Sequence, residues 1–102
     1  MSAATPRRIE TSRKTKETDI AVVLDLSGPG DIQVDTGLPF FDHLLTSMAF
    51  HGGFSLSVKA RGDVEVDAHH LVEDTGLVIG NALADILQRC QPVARFGHAV
   101  IP

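Results

Sequence analysis

The chain has 102 residues, 43% of them hydrophobic and 22% charged, which is typical of one globular domain with a single modest core. Its net charge of −4 disfavours a nucleic-acid-binding domain, since such domains usually carry a basic surface. The single cysteine, Cys90, excludes an internal disulfide framework, and no apolar run has the length of a signal peptide or a membrane span, so we expect a cytoplasmic protein.

The first part of the chain predicts three strands joined by short turns. Residues 1–6 have the composition of a disordered leader. Residues 9–14 are polar and suit an edge strand, whereas 19–26 are apolar enough for a central strand. After the turn SGPGD (27–31), alternation of apolar and polar residues resumes over 31–37. We expect this third strand to form a hairpin with the second.

A change of period predicts the first helix over 38–53. Pro39 suits the first helical turn, and Gly52 and Gly53 suit its end. The apolar residues that recur at helical spacing are Phe41, Leu44, Leu45 and Met48. On a helical wheel His43 lies on the flank, away from that apolar arc. All phenylalanines of the chain are expected in the core.

The remaining elements complete an α+β pattern. We expect a strand over 54–62, a strand or short extension over 63–67, a helix from about Ala68 to Arg89, and a loop with a final short strand over 94–102. The predicted apolar face of the second helix consists of Leu71, Val72, Ile79, Ala82, Leu83 and Ile86. The order β-β-β-α-β-β-α-β predicts a mostly antiparallel sheet with both helices on one face.

The segment HHLVE is the strongest candidate for a metal site. On a helix, Glu73 projects between His69 and His70, which precede it by four and three residues. Imidazole and carboxylate ligands suit Zn, Mn, Fe or Ni. Asp67 and Asp74 would then orient the imidazoles by accepting hydrogen bonds. The alternative is a solvated helix start, in which these polar side chains bind nothing.

Four further residues are candidates for a functional site, but each taken alone has an equally good structural explanation. His43 follows Asp42, which would orient it as a ligand or base, although a single histidine on a helix flank is usually a surface residue. His51 equally suits the C-terminal end of a helix, where the dipole favours a cation. Glu17 lies in the basic segment RKTKET, which is equally an edge strand protected by charge. Arg95 is either an anion-binding residue or a surface charge.

Five segments, taken in order, resemble the first half of the imidazoleglycerol-phosphate dehydratase family. They are TKET, TGLPFFDHLL, AFHGGFSLSVKARGD, VDAHHLVEDTG and RFGHAVIP. The resemblance runs from about Arg8 to the last residue. It implies that residues 1–102 form a single half-domain, the first repeat of a duplicated split β-α-β-like fold.

The resemblance also implies a reaction and the residues that perform it. Members of the family dehydrate imidazole glycerol phosphate to imidazole acetol phosphate in histidine biosynthesis, with two manganese ions per site. The implied metal ligands are His43, His69, His70 and Glu73. The implied catalytic residues are Glu17 and Glu73, with Glu17 as the acid/base. The implied substrate-binding residues are Glu17, His43, His51, His69, Glu73 and Arg95, the last of these at the phosphate.

The chain departs from the family in its length. Members repeat the half-domain and carry a second HHxxE, whereas this chain offers one set of ligands for two ions that need on the order of twelve donor positions. Either the second half is missing or identical copies supply it by symmetry, with close packing expected at Gly76, Gly80 and Ala84. The alternatives are a metal-stabilised homo-oligomeric half-domain without turnover and a metal-independent interaction module.

Overall fold

The computed structural model describes residues 7–65, 67–89, 94 and 96–102. The predicted leader over 1–6 therefore lies outside the described residues, as does Cys90. The elements in chain order are β1 (Arg8–Lys14), β2 (Thr18–Asp25), β3 (Ile32–Asp35), α1 (Pro39–Gly52), β4 (Ser55–Gly62) and α2 (His69–Arg89). The predicted α+β class is confirmed.

The sheet is mixed but mostly antiparallel. Its strand order is β1-β2-β4-β3, in which β2 runs antiparallel to both neighbours and β3 runs parallel to β4. The predicted hairpin between the second and third strands is therefore wrong. Both edges of β2 are taken by β1 and β4, so β3 pairs with the remaining edge of β4. A parallel pair needs a long crossover, and α1 provides it.

The strand predicted over 63–67 is wrong for the described part of that segment. The backbone N–H of Glu65 donates to Oδ1 of Asp63 at 3.3 Å, and the N–H of His69 donates to Oδ1 of Asp67 at 2.7 Å. Aspartates that bond nearby amides in this way offer the backbone an alternative to a sheet ladder. The alternating sequence therefore forms a connection into α2.

The final strand predicted over 94–102 is also wrong for the residues described there. Residues 94 and 96–102 have no strand pairing, and each is exposed. The side chains of Val100 and Ile101 are 84% and 90% exposed. Ordering a strand costs conformational entropy, and no buried apolar surface offsets that cost here.

The core lies between one face of the sheet and the two helices. On β2 the buried residues alternate with exposed or half-buried ones, as expected when one sheet face is covered. The buried hydrophobic residues are Ile20, Val22, Leu24, Leu45, Ala49, Leu56, Val58, Ala60, Leu71, Val78, Ala82 and Ile86. These residues come from β2, β4 and both helices and form one cluster, so both helices lie on the same face, as predicted. Neither described helix is long and apolar enough to cross a membrane.

The predicted apolar face of α1 is only partly correct. Leu45 and Ala49 are buried, whereas Leu44 and Met48 are about half exposed. The prediction that all phenylalanines lie in the core is wrong for three of them. Phe40 and Phe50 on α1 are exposed, and so is Phe96. Periodicity identified the helix but could not decide which edge of a broad apolar arc meets the sheet.

The predicted apolar face of α2 needs the same correction. Thr75 and Val78 are buried, whereas Val72 and Leu83 are exposed. The outer surface of the helix layer therefore carries exposed apolar side chains. On α1 and α2 they are Phe40, Leu44, Met48, Phe50, Val72, Leu77, Leu83 and Leu87.

Thr75 offers a test of the core packing. Its Oγ1 is buried and makes no hydrogen bond within the part of the chain that the structure describes. Replacing this hydroxyl by a methyl group of the same shape removes a desolvation penalty, so Thr75→Val is expected to raise the free energy of unfolding by about 1 kcal/mol. Urea denaturation measures the change, and a destabilised variant would show that the hydroxyl has a partner.

Candidate metal and substrate site

The first two turns of α2 bring three of the predicted ligands onto one open surface. Nε2 of His69 lies 3.0 Å from Oε2 of Glu73, and the two side chains are 60% and 58% exposed. The ring of His70 is 5.1 Å from that of His69, centroid to centroid. Asp67 accepts the N–H of His69 and so caps the helix start rather than orienting an imidazole. Nitrogen and oxygen donors thus lie together at a solvent-accessible helix end.

His43 lies in the second turn of α1 and is exposed, as predicted from its flank position. Asp42 does not orient it. Oδ1 of Asp42 accepts hydrogen bonds from the backbone N–H and the hydroxyl of Thr36. Leu38, at the N-cap, has no side chain that can satisfy the helix start, so Asp42 and Thr36 fix the entry of the chain into α1.

His51 lies in the last turn of α1, and its ring is held by its own helix. Its Nδ1 is 2.9 Å from the carbonyl oxygen of Ser47. Because a carbonyl oxygen only accepts, Nδ1 carries the proton and Nε2 is the ring nitrogen available to a ligand. Gly53 ends the helix in the left-handed conformation, at φ 72°. The ring orientation is compatible with the helix-end interpretation and with substrate binding.

Glu17 lies in the turn between β1 and β2, and its side chain is exposed. Its backbone is held on both sides. The N–H of Glu17 donates to Oγ1 of Thr15 at 3.1 Å, and its carbonyl accepts the N–H of Asp63 at 3.0 Å. The Glu17 carboxylate is exposed and has one long contact, from Oγ1 of Thr15 to its Oε2 at 3.4 Å. A fixed backbone with an exposed carboxylate suits a residue that must meet a substrate.

One hydrogen bond connects the turn of Glu17 to the helix end of Glu73. The hydroxyl of Thr18 donates to Oδ2 of Asp74 at 2.7 Å, across 56 positions of sequence. Thr18 is 3% exposed. Asp74 was predicted to orient an imidazole, but this bond holds the turn instead. Thr18 was not among the residues predicted from the sequence. In TKET it directly follows Glu17, and in HHLVED its partner Asp74 directly follows Glu73.

The ligand set within the described residues is partial. No group of three or more His, Cys, Asp or Glu side chains forms a cluster that could hold a metal there. His43 is on α1, which packs on β3 and β4, whereas α2 packs on β1, β2 and β4. Arg95 lies outside the described residues. The imidazole and carboxylate donors of α2 fit a divalent cation chemically, but its coordination would need further ligands.

Comparison with known proteins supports the resemblance noted in the sequence. The model of the imidazoleglycerol-phosphate dehydratase family matches residues 36–102, more than half of the chain. The chain belongs to the imidazoleglycerol-phosphate dehydratase family. The matched region includes His43, His69, His70 and Glu73.

Curated relatives extend the match to the turn that carries Glu17. The imidazoleglycerol-phosphate dehydratase of Mycolicibacterium smegmatis is 52% identical over 102 residues, which is 100% of this chain and 50% of the relative. That of Corynebacterium jeikeium is 55% identical over 98 residues, 96% of this chain and 48% of the relative. That of Corynebacterium urealyticum is 57% identical over 90 residues, 88% and 44% respectively. The chain spans about half the length of these dehydratases.

Proposed function

We propose that this chain provides one half of a manganese-dependent hydro-lyase that dehydrates imidazole glycerol phosphate to imidazole acetol phosphate in histidine biosynthesis, in the cytoplasm. The supporting observation is the 2.7 Å bond between Thr18 and Asp74. It joins the turn of Glu17, whose carboxylate is exposed, to the start of α2, where His69 and Glu73 supply nitrogen and oxygen donors. Family membership supports the assignment of the reaction. The Thr18–Asp74 bond supports a site that includes both the turn of Glu17 and the start of α2.

The overall reaction removes hydroxide from one substrate carbon and a proton from its neighbour. That C–H bond is not activated by an adjacent carbonyl, so a positioned acid/base is required. The family resemblance implies this role for Glu17, and its exposed carboxylate on a fixed backbone is compatible with it. Nε2 of His51 and the guanidinium of Arg95 would contact the substrate, the latter at its phosphate, for which its planar fork is suited.

The proposed manganese ligands are His43, His69, His70 and Glu73. When bound, the cation supplies positive charge that stabilises electron density developing on the substrate. Glu73 also approaches His69 Nε2 and so restrains the orientation of that ring. His43 joins these residues only if other parts of the assembled protein complete the site.

The remaining ligands are proposed to come from further copies of this chain or from a second dehydratase half. The outer surface of the helix layer supports this, because apolar side chains such as Leu77 and Leu83 are exposed there. A Cβ built on Gly76 or Gly80 meets nothing within 4 Å, so a partner backbone has room to approach α2. An isologous contact between copies would place two ligand sets in one assembly.

Metal binding is the first test. Native mass spectrometry after manganese loading is expected to show bound metal in the wild-type protein and its loss in His69→Ala, His70→Ala and Glu73→Ala. Each variant deletes a direct ligand, so affinity should fall by more than the roughly 10–100-fold caused by losing an outer hydrogen-bond partner. His98→Ala, which removes an exposed histidine outside the proposed set, is the matched control. Wild-type metal content in the three variants would contradict the assignment.

The second candidate function is a metal-stabilised homo-oligomeric half-domain without turnover. It is favoured by the exposed apolar side chains on the outer surface of the helix layer, such as Leu77 and Leu83, which a contact between copies would bury. Product formation from imidazole glycerol phosphate by the manganese-loaded oligomer supports the hydro-lyase. Substrate binding without product supports the second candidate.

A further inference from the structure

We propose that Thr18 and Asp74 are positioning residues that hold the acid/base Glu17 against the first turns of α2. This inference rests on the proposed function and deepens it. Neither residue is placed among the ligands or the substrate contacts. Their effect on the reaction would pass entirely through the location of Glu17.

The direction of each hydrogen bond in this region can be deduced. A carboxylate only accepts, so the hydroxyl hydrogen of Thr18 is committed to Oδ2 of Asp74. The contact of 3.0 Å between the hydroxyls of Thr15 and Thr18 must therefore be donated by Thr15. The result is a one-way chain of hydroxyls that ends on Asp74, an arrangement in which each bond polarises the next.

The same chain fixes the backbone of Glu17. With its hydrogen given to Thr18, Oγ1 of Thr15 uses its lone pairs to accept the N–H groups of Glu17 at 3.1 Å and Thr18 at 3.0 Å. Its longer approach to Oε2 of Glu17, at 3.4 Å, is then not needed to satisfy the hydroxyl. Asp74 thus controls the orientation of the Thr15 hydroxyl, and Thr15 holds the backbone of Glu17 while the Glu17 carboxylate stays exposed.

Close packing at Gly62 shows that the turn is seated against both the sheet and α2. A Cβ at this position would lie 3.2 Å from the carbonyl oxygen of Glu17, from Cγ2 of Thr18 and from Cδ1 of Leu71. These atoms belong to the turn, β2 and α2, so there is little room for the turn to shift while the Thr18–Asp74 bond is intact. Without that bond, the turn loses its polar attachment to α2.

Loss of the Thr18–Asp74 bond is expected to change the position of the Glu17 carboxylate and not its charge. Catalytic groups act only when held near the attacking geometry, and a misplacement of about 1 Å can lower a rate on the order of 10²-fold. The backbone bonds of Glu17 and its contacts with Gly62 set where its carboxylate can reach. We therefore expect loss of the clamp, defined as the Thr15–Thr18–Asp74 hydrogen bonds, to lower kcat with little change in KM.

The test compares paired substitutions in the manganese-loaded protein. Thr18→Val and Asp74→Ala break the clamp, whereas Thr18→Ser keeps the hydroxyl donor and Asp74→Asn keeps an acceptor oxygen. Ile86→Val is the control for lost stability, because it trims a fully buried residue on the same helix, twelve positions along and so roughly 18 Å away. Amide hydrogen exchange by NMR and steady-state dehydration kinetics are measured on each protein.

In Thr18→Val and Asp74→Ala, exchange of the amides at Glu17 and at position 18 is expected to rise about tenfold relative to wild type, as loss of one hydrogen bond implies. In the same variants kcat should fall on the order of 10²-fold while KM changes less than about threefold. Thr18→Ser and Asp74→Asn should recover most of both effects, and Ile86→Val should show neither.

The two proposals fail in different ways. Unchanged exchange at Glu17 in Thr18→Val overturns the clamp, whatever the activity. Raised exchange with unchanged kcat in an active protein overturns the positioning role but leaves the hydro-lyase standing. A wild-type assembly that releases no product overturns the proposed function, and the positioning role with it, while the exchange data still report whether the clamp exists.

Discussion

Glu17→Gln is expected to lower kcat for dehydration by roughly 10²–10⁴-fold, the range that a positioned general acid/base contributes. Glutamine keeps the length and shape of the side chain but cannot exchange a proton. The backbone bonds to Thr15 and Asp63 are untouched, so the fold and manganese content should not change. The measurement is steady-state turnover of imidazole glycerol phosphate by the assembled protein, or with a second dehydratase half supplied in trans.

Glu10→Gln is the matched control for this experiment. Glu10 is an exposed glutamate on β1, where it forms a 2.7 Å ion pair with Arg8. Exposed ion pairs contribute at most about 1 kcal/mol, so this variant should retain both stability and turnover. Equal turnover of Glu17→Gln and wild type would remove Glu17 from the mechanism and would make the turn a structural feature only.

Leu71→Ala is expected to lower the free energy of unfolding by about 2–5 kcal/mol, the usual cost of truncating a fully buried leucine. The side chain of Leu71 is 0% exposed, and its Cδ1 lies against Gly62 at the end of β4. Small domains have a total stability of about 5–15 kcal/mol, so the loss is large. It should also weaken metal binding, because the anchored turn of α2 carries His69, His70 and Glu73. Urea denaturation and manganese titration measure the two effects.

The comparison with Leu77→Ala separates core packing from assembly. Leu77 is on the same helix but is 51% exposed, and the substitution removes the same atoms. In dilute, monomeric protein it should cost less than about 1 kcal/mol. If the outer helix surface is a contact between copies, Leu77→Ala should lower the free energy of unfolding further at protein concentrations that favour association. If Leu71→Ala lowered the free energy of unfolding as little as Leu77→Ala does, the observed packing of α2 on the sheet would be contradicted.

Local patterns in the sequence predicted the position and type of the main elements. Alternation identified β1, β2 and β4, and Pro39 and Gly53 marked the limits of α1 because proline fits a first helical turn and glycine fits a left-handed cap. Alternation failed over 63–67, where aspartates bond nearby amides instead of a neighbouring strand. Patterning alone does not show whether an alternating segment has an available sheet edge.

The sequence also predicted the cluster of donors at the start of α2, because residues three and four apart on a helix share one face. The observed contact between His69 and Glu73 follows from that spacing. The relation of His43 to this cluster could not be predicted, since it depends on how α1 and α2 lie on the sheet. The metal-ligand, catalytic and substrate-binding roles of the site residues stay predictions.

By itself, the sequence determined the α+β class, the limits of the helices and the surface on which His69, His70 and Glu73 meet, because each depends on residues close together along the chain. Only the tertiary structure decided that β3 pairs with β4, and that Thr18, next to Glu17, bonds to Asp74, next to Glu73. Both outcomes depend on which sheet edges and buried polar groups remain available once the core has packed. That competition among distant segments leaves no periodic signal in the sequence.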